Sequence, residues 1–527
     1  MEGFEVGQRI VDPADKARGT IKYLGAVEGT KGSWIGVEWD NPERGKHDGS
    51  HNGKRYFETS TPTSGSFVRD SKISKGVSLE YAVEDRYGSS HEADPNEIER
   101  LRRDINAPFL QLVGFEKVNQ TQSDFAKLKT ISVRNMAISH SGNQLDSFMT
   151  SVQVLDIAES LFNSWNQVAS LCGQLKKLKN LNISDNKLTL PMQQDDDDGR
   201  GNMKEAFENV NTLFMGKMGY DWNACHEVLQ YFSNLQALNL YGNVLNSIAN
   251  PPPGPNGLLT SLTELNLSGN PLGPKWDNVM KFAKLPKLQT LAVNDCQLEE
   301  IVFNKENPGF EQLRVLQISF NKLKDWQSIY CIDYLPNLQE IKCRDNPIVD
   351  SESSQTSRQL VIAAAANLKV VNGTEVEKAE RFGAEWDFIK KYGLEYLEAT
   401  KDANKLEEFH KKYPRYKTLV SKFGAPEESE LRVKDTSLKA NLLKVNIVCP
   451  DDDSVKPLSK SLPPAMVVSK LRGLLGRLIK PAKGKELTLS YSSNKKPDFK
   501  VPFDNDMRDL FFYNVESGDT IFVQWND

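Results

Sequence analysis

The stretch Leu178–Leu188, LKNLNISDNKL, spaces its apolar residues in a Leu-x-x-Leu-x-Ile-x-x-Asn-x-Leu pattern. The alternation of Leu181 and Ile183 is that of a short strand with one face in a core. Asn186 follows at the bend, where an inward-turned amide satisfies backbone groups that a turn leaves unpaired. The same pattern returns at Leu235–Leu245, Leu262–Leu272 and Leu313–Leu323, carrying Asn243, Asn270 and Asn321. Looser copies begin at Leu128, Val152, Val210, Leu288 and Leu338. The starts lie about 24 to 27 residues apart, with wider gaps after Leu178 and Leu338. A unit this short cannot bury its apolar face alone, so neighbouring copies have to stack.

The pattern is identified as a leucine-rich repeat, which implies a curved solenoid with its strands on the concave side. Residues between the strand leucines are expected to face outward there: Ser132, Asp156, Asn182, Phe214, Asn239, Asn266, Ala292, Gln317 and Lys342. This row is mostly small and neutral, which suits a broad protein partner better than a polyanion. Phe214, Asn239, Asn266, Gln317 and Lys342 are its candidate contacts. Phe214 reads either as a contact or as a core member of an irregular repeat. Cys296 occupies the asparagine position of its repeat and reads as structural rather than redox-active. The segment Gln193–Asn202, QQDDDDGRGN, interrupts the period. Its four aspartates repel one another and favour an exposed insertion. A calcium site there lacks the EF-hand spacing. Pro251–Gly254 reads as a stiff turn.

Upstream, Gly32–Phe57 reads GSWIGVEWDNPERGKHDGSHNGKRYF. Glycines close both ends of the loop Gly45-Lys46-His47-Asp48-Gly49 and leave its amides accessible to an anionic guest. From Arg44 to Arg55 there are four Lys/Arg against one Asp. Trp34, Trp39, Tyr56 and Phe57 are expected to wall a groove. A site of this composition suits a carboxylate attached to something flat and apolar. The stretch, with Gly65-Ser66-Phe67-Val68 beyond it, resembles the CAP-Gly domain. That family is marked by a Gly-Lys-Asn-Asp-Gly loop after a Trp-x-Gly-Val-x-Trp/Leu strand. The resemblance implies capture of an acidic-aromatic C-terminal tail, Glu-Glu-Tyr/Phe, of α-tubulin or of end-binding proteins. In such a groove Lys46 and the amides of Gly45–Gly49 meet the terminal carboxylate. Trp39, Phe57 and Phe67 receive the aromatic ring, and Arg69 pairs with a tail glutamate. His47 replaces the family's Asn, which puts any pH sensitivity on its imidazole.

Beyond Leu368–Val371, the segment Glu375–Phe409 has apolar residues at helical spacing and reads as one or two helices that cap the repeats. A polar linker runs from Gly424 to about Lys439. From Asn441 a strand (Leu443-Val445-Ile447), a turn, a second strand and an apolar helix follow. The helix sets Val468, Leu471, Leu474, Leu475 and Leu478 on one face. Further strands at Leu487-Leu489-Tyr491 and Ile521-Phe522-Val523 complete an order that resembles a ubiquitin-like domain. The ending Trp525-Asn526-Asp527 lacks the Gly-Gly needed for conjugation, so the domain is expected to dock. The fold expected is therefore multidomain α+β. A β-rich CAP-Gly barrel (1–80) and a connector with an N-terminal cap (81–127) precede the leucine-rich-repeat solenoid (128–372). A helical cap and linker (373–439) and a ubiquitin-like β-grasp (440–527) follow.

The chain has 527 residues, a net charge of −5 and six scattered cysteines with no CxxC pair. Near-balanced charge argues against nucleic acid, and no apolar run approaches a membrane span. A cytoplasmic location fits, with cytoskeletal association as an extension. No cofactor, P-loop, Gly-x-Ser-x-Gly elbow or metal-ligand set is visible, and His47 and His51 form no metal pair with further ligands. An enzyme is not expected. The domain order resembles the tubulin-folding cofactor E family. That resemblance implies binding of α-tubulin and action with cofactors B, C and D in assembling and dismantling the αβ heterodimer. Two other readings stand beside it: a microtubule-end or cargo adaptor using the same groove, and a ubiquitin-system adaptor that brings a client to the proteasome.

Overall fold

The computed structural model describes residues 3–88, 125–142, 144–191, 203–249, 257–427, 431, 442–452, 454–479, 486–494 and 496–526. The 193–202 insertion, the 251–254 turn, and most of the 81–127 connector and of the polar linker lie outside the described residues. The chain divides into two compact units, Met1–Ala425 and Pro426–Asp527.

The first unit opens with a four-stranded antiparallel sheet in the order Arg9–Val11, Arg18–Ala26, Ser33–Trp39, Gly65–Val68. Ile10, Ile21, Ile35, Val37 and Trp39 fill its small core. Val77–Ser78 then pairs in parallel with Ile138–His140. Ser78 caps the helix Leu79–Tyr87, its Oγ accepting the Tyr81 amide at 3.1 Å. Leu79, Ala82 and Val83 on this helix close the N-terminal end of the large core.

That core is covered by an eleven-stranded sheet of two- and three-residue strands, from Thr130–Ser132 through Val370–Val371 to Thr374–Glu375. Neighbours are parallel throughout, except for the closing antiparallel pair. The register stacks Leu155, Leu181, Leu213, Leu238, Leu265, Leu291 and Leu316 in one inward column. Parallel strands this short supply few ladder bonds, and the asparagines at the bends supply more. Asn321 Nδ2 donates to Val293 O (2.8 Å) and Ile318 O (2.9 Å), while its Oδ1 accepts the amides of Cys296 and Leu298. Asn186, Asn243, Asn270 and Asn346 repeat the arrangement, each bridging its own turn to the preceding one. Cys296, fully buried at the corresponding place, gives only two thiol contacts of 3.4 Å, to Leu267 O and Asn294 O. Burial pushes this thiol up to about 12.

The C-terminal end is closed by four helices, Lys378–Lys391, Gly393–Ala399, Ala403–Lys412 and Tyr416–Phe423. Three of them begin within Glu375–Phe409, where the sequence suggests one or two. The extra breaks come at Tyr392 and at Asp402, whose carboxylate caps the next helix through the Asn404 amide at 2.8 Å. Glu385, fully buried, pairs with Arg415 and accepts Lys422 Nζ at 2.6 Å. Burial works against its carboxylate, but the two cations outweigh burial and hold its pKa below the ordinary range.

The second unit is a mixed five-stranded sheet in the spatial order Leu458–Leu462, Leu443–Val448, Thr520–Asn526, Glu486–Ser493, Lys496–Pro502. The first and last strands in sequence are central and parallel. With the helix Val468–Ile479 this is the β-grasp of a ubiquitin-like domain. Val468, Leu471, Leu475 and Ile479 face its core, whereas Leu478, expected on that face, is exposed. Stepping from Leu475 by four residues rather than three keeps the stripe in register with the helix turn.

Removing the Asn321 side chain strands the buried Val293 carbonyl and two amides, while Ile318 O keeps its bond from Asn346, at a cost of about 3 kcal/mol. Cys296→Ala gives up only two weak thiol contacts. Thermal unfolding of the full chain is expected to rank Asn321→Ala well below Cys296→Ala, and equal losses would contradict the bridging role.

Candidate functional site

The loop Gly45–Gly49 is built by close backbone approach to the strand Gly65–Val68. Lys46 N–H donates to Gly65 O (2.7 Å), and Gly65 N–H donates back to His47 O (2.8 Å). A Cβ on Gly45 would lie 2.2 Å from Thr63 O, and one on Gly49 would lie 2.0 Å from Phe57 O. Gly49 also sits at φ +91°, in the left-handed region that favours glycine. Asp48 is turned away from the loop mouth: its Oδ2 takes Arg55 Nη2 at 2.6 Å and its Oδ1 the Ser50 amide at 3.1 Å. The Lys46 ammonium is exposed and enters no ion pair among the described residues.

The next residue, His47, belongs to an aromatic cluster centred on Phe67. His47 (4.9 Å between ring centres), Phe57 (5.4 Å) and Tyr56 (5.5 Å) surround it, with Tyr23 and His51 each at 6.3 Å. Tyr23 comes from the neighbouring strand, opposite Gly36, where a Cβ would meet Phe57 Cε1 at 2.5 Å. The structure thus brings together Lys46, His47, Phe57 and Phe67 with Tyr56, and adds Tyr23 and His51, which the sequence reading did not include.

Trp39 is a correction. It is 1% exposed and packs with Ile35 and Val37 in the sheet core under the Arg44 guanidinium, 3.6 Å from its ring. It therefore walls no groove. Trp34 stands apart from the cluster, stacked under Arg69 at 3.7 Å. Arg69 in turn donates to Ser33 O (2.7 Å) and Lys31 O (2.6 Å), so its guanidinium ties down the loop before the strand Ser33–Trp39.

The row expected to face outward from the repeats is less accessible than expected. Ser132, Asp156, Asn182, Phe214, Asn239, Asn266, Ala292 and Gln317 are each 6% exposed or less, and only Lys342 reaches solvent to a sizeable extent. The carboxylate of Asp156 and the amides of Asn182, Asn239 and Asn266 fold back to accept the amide two residues on, at 2.9 to 3.1 Å. Such Asx turns compete well with outward display.

His47 accepts the Gly49 amide at Nδ1 (3.0 Å), so the neutral ring carries its proton on Nε2. Burial, with some help from His51 and against Asp48, lowers its pKa below the ordinary value of about 6.5. Protonation would set two donors, Nδ1–H and the Gly49 amide, against each other. Among the described residues no group of three His, Cys, Asp or Glu could hold a metal ion. No helix among them is long and apolar enough to cross a membrane.

The sheet, the glycine loop and the aromatic cluster belong to one recognisable class. Residues 6–73 match the family described as the CAP-Gly domain. Over the whole length, the chain is 35% identical to tubulin-specific chaperone E of Danio rerio, covering 99% of each chain. It is 32% identical to the Homo sapiens protein of that name, covering 99% of this chain and 98% of that one. The solution structure of the C-terminal ubiquitin-like domain of mouse tubulin-specific chaperone e is 39% identical, with a TM-score of 0.16, over 18% of this chain and 95% of that one. The chain belongs to the tubulin-specific chaperone E family.

A lowered His47 pKa means that the ordered loop is fully favoured above about pH 6.5 and loses that advantage as pH falls through the lowered value. An NMR titration of the full chain should give a His47 midpoint below 6.5, followed by the Gly49 amide. A midpoint above 6.5, or a silent Gly49 amide, would refute this coupling.

Proposed function

We propose that this protein is a tubulin-folding cofactor that holds α-tubulin at two places: its acidic C-terminal tail at the CAP-Gly loop and its folded body at the repeats. The ladder of short parallel strands is read as a leucine-rich-repeat solenoid over 128–372, between the CAP-Gly domain (1–80) and the ubiquitin-like domain (440–527). The observation that carries the reading is an exposed Lys46, with no ion pair among the described residues, next in the chain to His47, whose ring packs on the Phe67 aromatic cluster. A terminal carboxylate would meet the Lys46 ammonium, since the amides of Lys46, His47 and Gly49 are already bonded within the domain, and the terminal aromatic ring would meet Phe67, Phe57 and Tyr56. A tail held at one site raises the effective concentration of the body at the other. Separation or assembly of the heterodimer, with cofactors B, C and D, then follows from different affinities for free α-tubulin and for the dimer. A cytoplasmic location accords with this role. The ubiquitin-like domain would dock to tubulin, another cofactor or the proteasome.

Lys46→Ala should weaken binding of a peptide ending in Glu-Glu-Tyr by about 1–3 kcal/mol, the range of a charge-assisted hydrogen bond. Deleting the terminal Tyr should weaken binding to the unaltered protein. If neither change matters in calorimetry, the groove assignment is wrong. Sizing αβ-tubulin after addition of the protein and cofactor B separates a chaperone from a microtubule-end adaptor, since an adaptor leaves the dimers intact.

A further inference from the structure

One residue per repeat, immediately before the bend asparagine or the residue that stands in its place, adopts a left-handed backbone. Asp185, Lys217, Gly242, Gly269, Asp295 and Asp345 occupy this place with φ between 52 and 71°. Glycine and aspartate tolerate that conformation well. Phe320 occupies the same place with φ 59°. A bulky apolar side chain is disfavoured there, and burial does not compensate it: Phe320 is 60% exposed. The fold thus gains nothing from a phenylalanine where its neighbours use glycine or aspartate.

Phe320 borders an open groove of about 600 Å³, with Tyr241, Asn294, Gln317 and Lys342 along it. Asp295 and Asp345, one repeat to either side, line it too. Both carboxylates are exposed, and neither enters an ion pair among the described residues. Of the cations nearby, Lys342 lies 3.8 Å from Glu340, Lys217 sits 5.8 Å over the Tyr241 ring, and Arg344 donates to Asn372 O at 2.9 Å. An exposed aromatic ring between two free carboxylates complements a guanidinium or ammonium, which stacks on the ring face and pairs at its edges.

We infer that the groove at Phe320 is a docking point for a folded protein client that presents an arginine or lysine side chain, seated over the Phe320 ring between Asp295 and Asp345. The inference rests on the reading that the repeats hold the tubulin body, and it names the contact. Aromatic anchors in grooves of this kind dominate interface energies.

Phe320→Gly separates binding from folding, because glycine is native to this place two and three repeats earlier. The thermal midpoint of the full chain should be unchanged or raised. Affinity for purified αβ-tubulin should fall by roughly tenfold or more, as for an interface anchor. Asp295→Asn combined with Asp345→Asn should weaken binding as well and reduce its sensitivity to salt. Unaltered binding by Phe320→Gly, while the native protein binds tubulin, overturns this inference alone. Loss with Phe320→Gly but none with the double asparagine variant overturns the cationic occupant. Failure of the native protein to bind tubulin overturns both this inference and the proposed function.

Discussion

The large unit depends on an amide that serves two turns at once. Strands of two or three residues cannot hold a parallel sheet by ladder bonds alone. The bend carbonyls, buried and facing one another, would have no partner without the asparagine side chains between them. Asn321 reaches Val293 O in the preceding repeat and Ile318 O in its own, and its oxygen takes two amides from the preceding turn. Bonded in this way, adjacent repeats cannot separate without exposing buried polar groups. Cys296 shows what relaxes the requirement. The Leu272 amide, which an asparagine oxygen at 296 would otherwise serve, instead donates to Asn270 O at 2.8 Å. A weak thiol donor is then sufficient.

What was legible in the sequence follows from which interactions have a fixed period. The leucine columns and bend asparagines repeat because each copy meets the same neighbour, and the β-grasp helix shows itself by helical spacing. The strand Lys496–Pro502 carries two prolines and two lysines at the sheet edge, a composition that blunts edges and also hides the strand. Trp39 was misread through composition, as an aromatic in a glycine-rich stretch. The two-residue period of its strand puts it with Ile35 and Val37 on the inward face, and that alternation is present in the sequence. Tyr23 is of another kind. It reaches the Phe67 cluster through a register shift between Ile21 and Tyr23, which local pattern does not specify. The low accessibility of the row from Ser132 to Gln317 does not follow from strand alternation; at Asp156, Asn182, Asn239 and Asn266 it accompanies side chains folded back onto their own backbone.

The structure gives the domain that carries the glycine loop a firm base. Arg9, 2% exposed, pairs with Asp40, which also holds Lys187 of the repeats at 3.1 Å. Burial opposes ionisation of Asp40, yet Arg9 and then Lys187 keep its pKa below the usual carboxylate range. Arg18 meets Glu159 and Asn135, and Asn163 donates to Gly7 O at 3.2 Å. Gly76 packs so tightly that a Cβ would lie 2.1 Å from Ala137 O. The Arg9–Asp40 ion pair is costly to break from the Asp40 side, because Arg9, buried, would be left as an uncompensated charge.

That base turns the first unit into a gauge. Two contact points fixed on one body admit no slack of their own. On the proposed reading, the reach between them has to come from the client's unstructured tail. A tail too short to span the gap could occupy either point but not both, and would lose the gain from linking them. Selection would then act on the length of the tail as well as on its last residues, a property that a loop hung from a flexible strap could not measure.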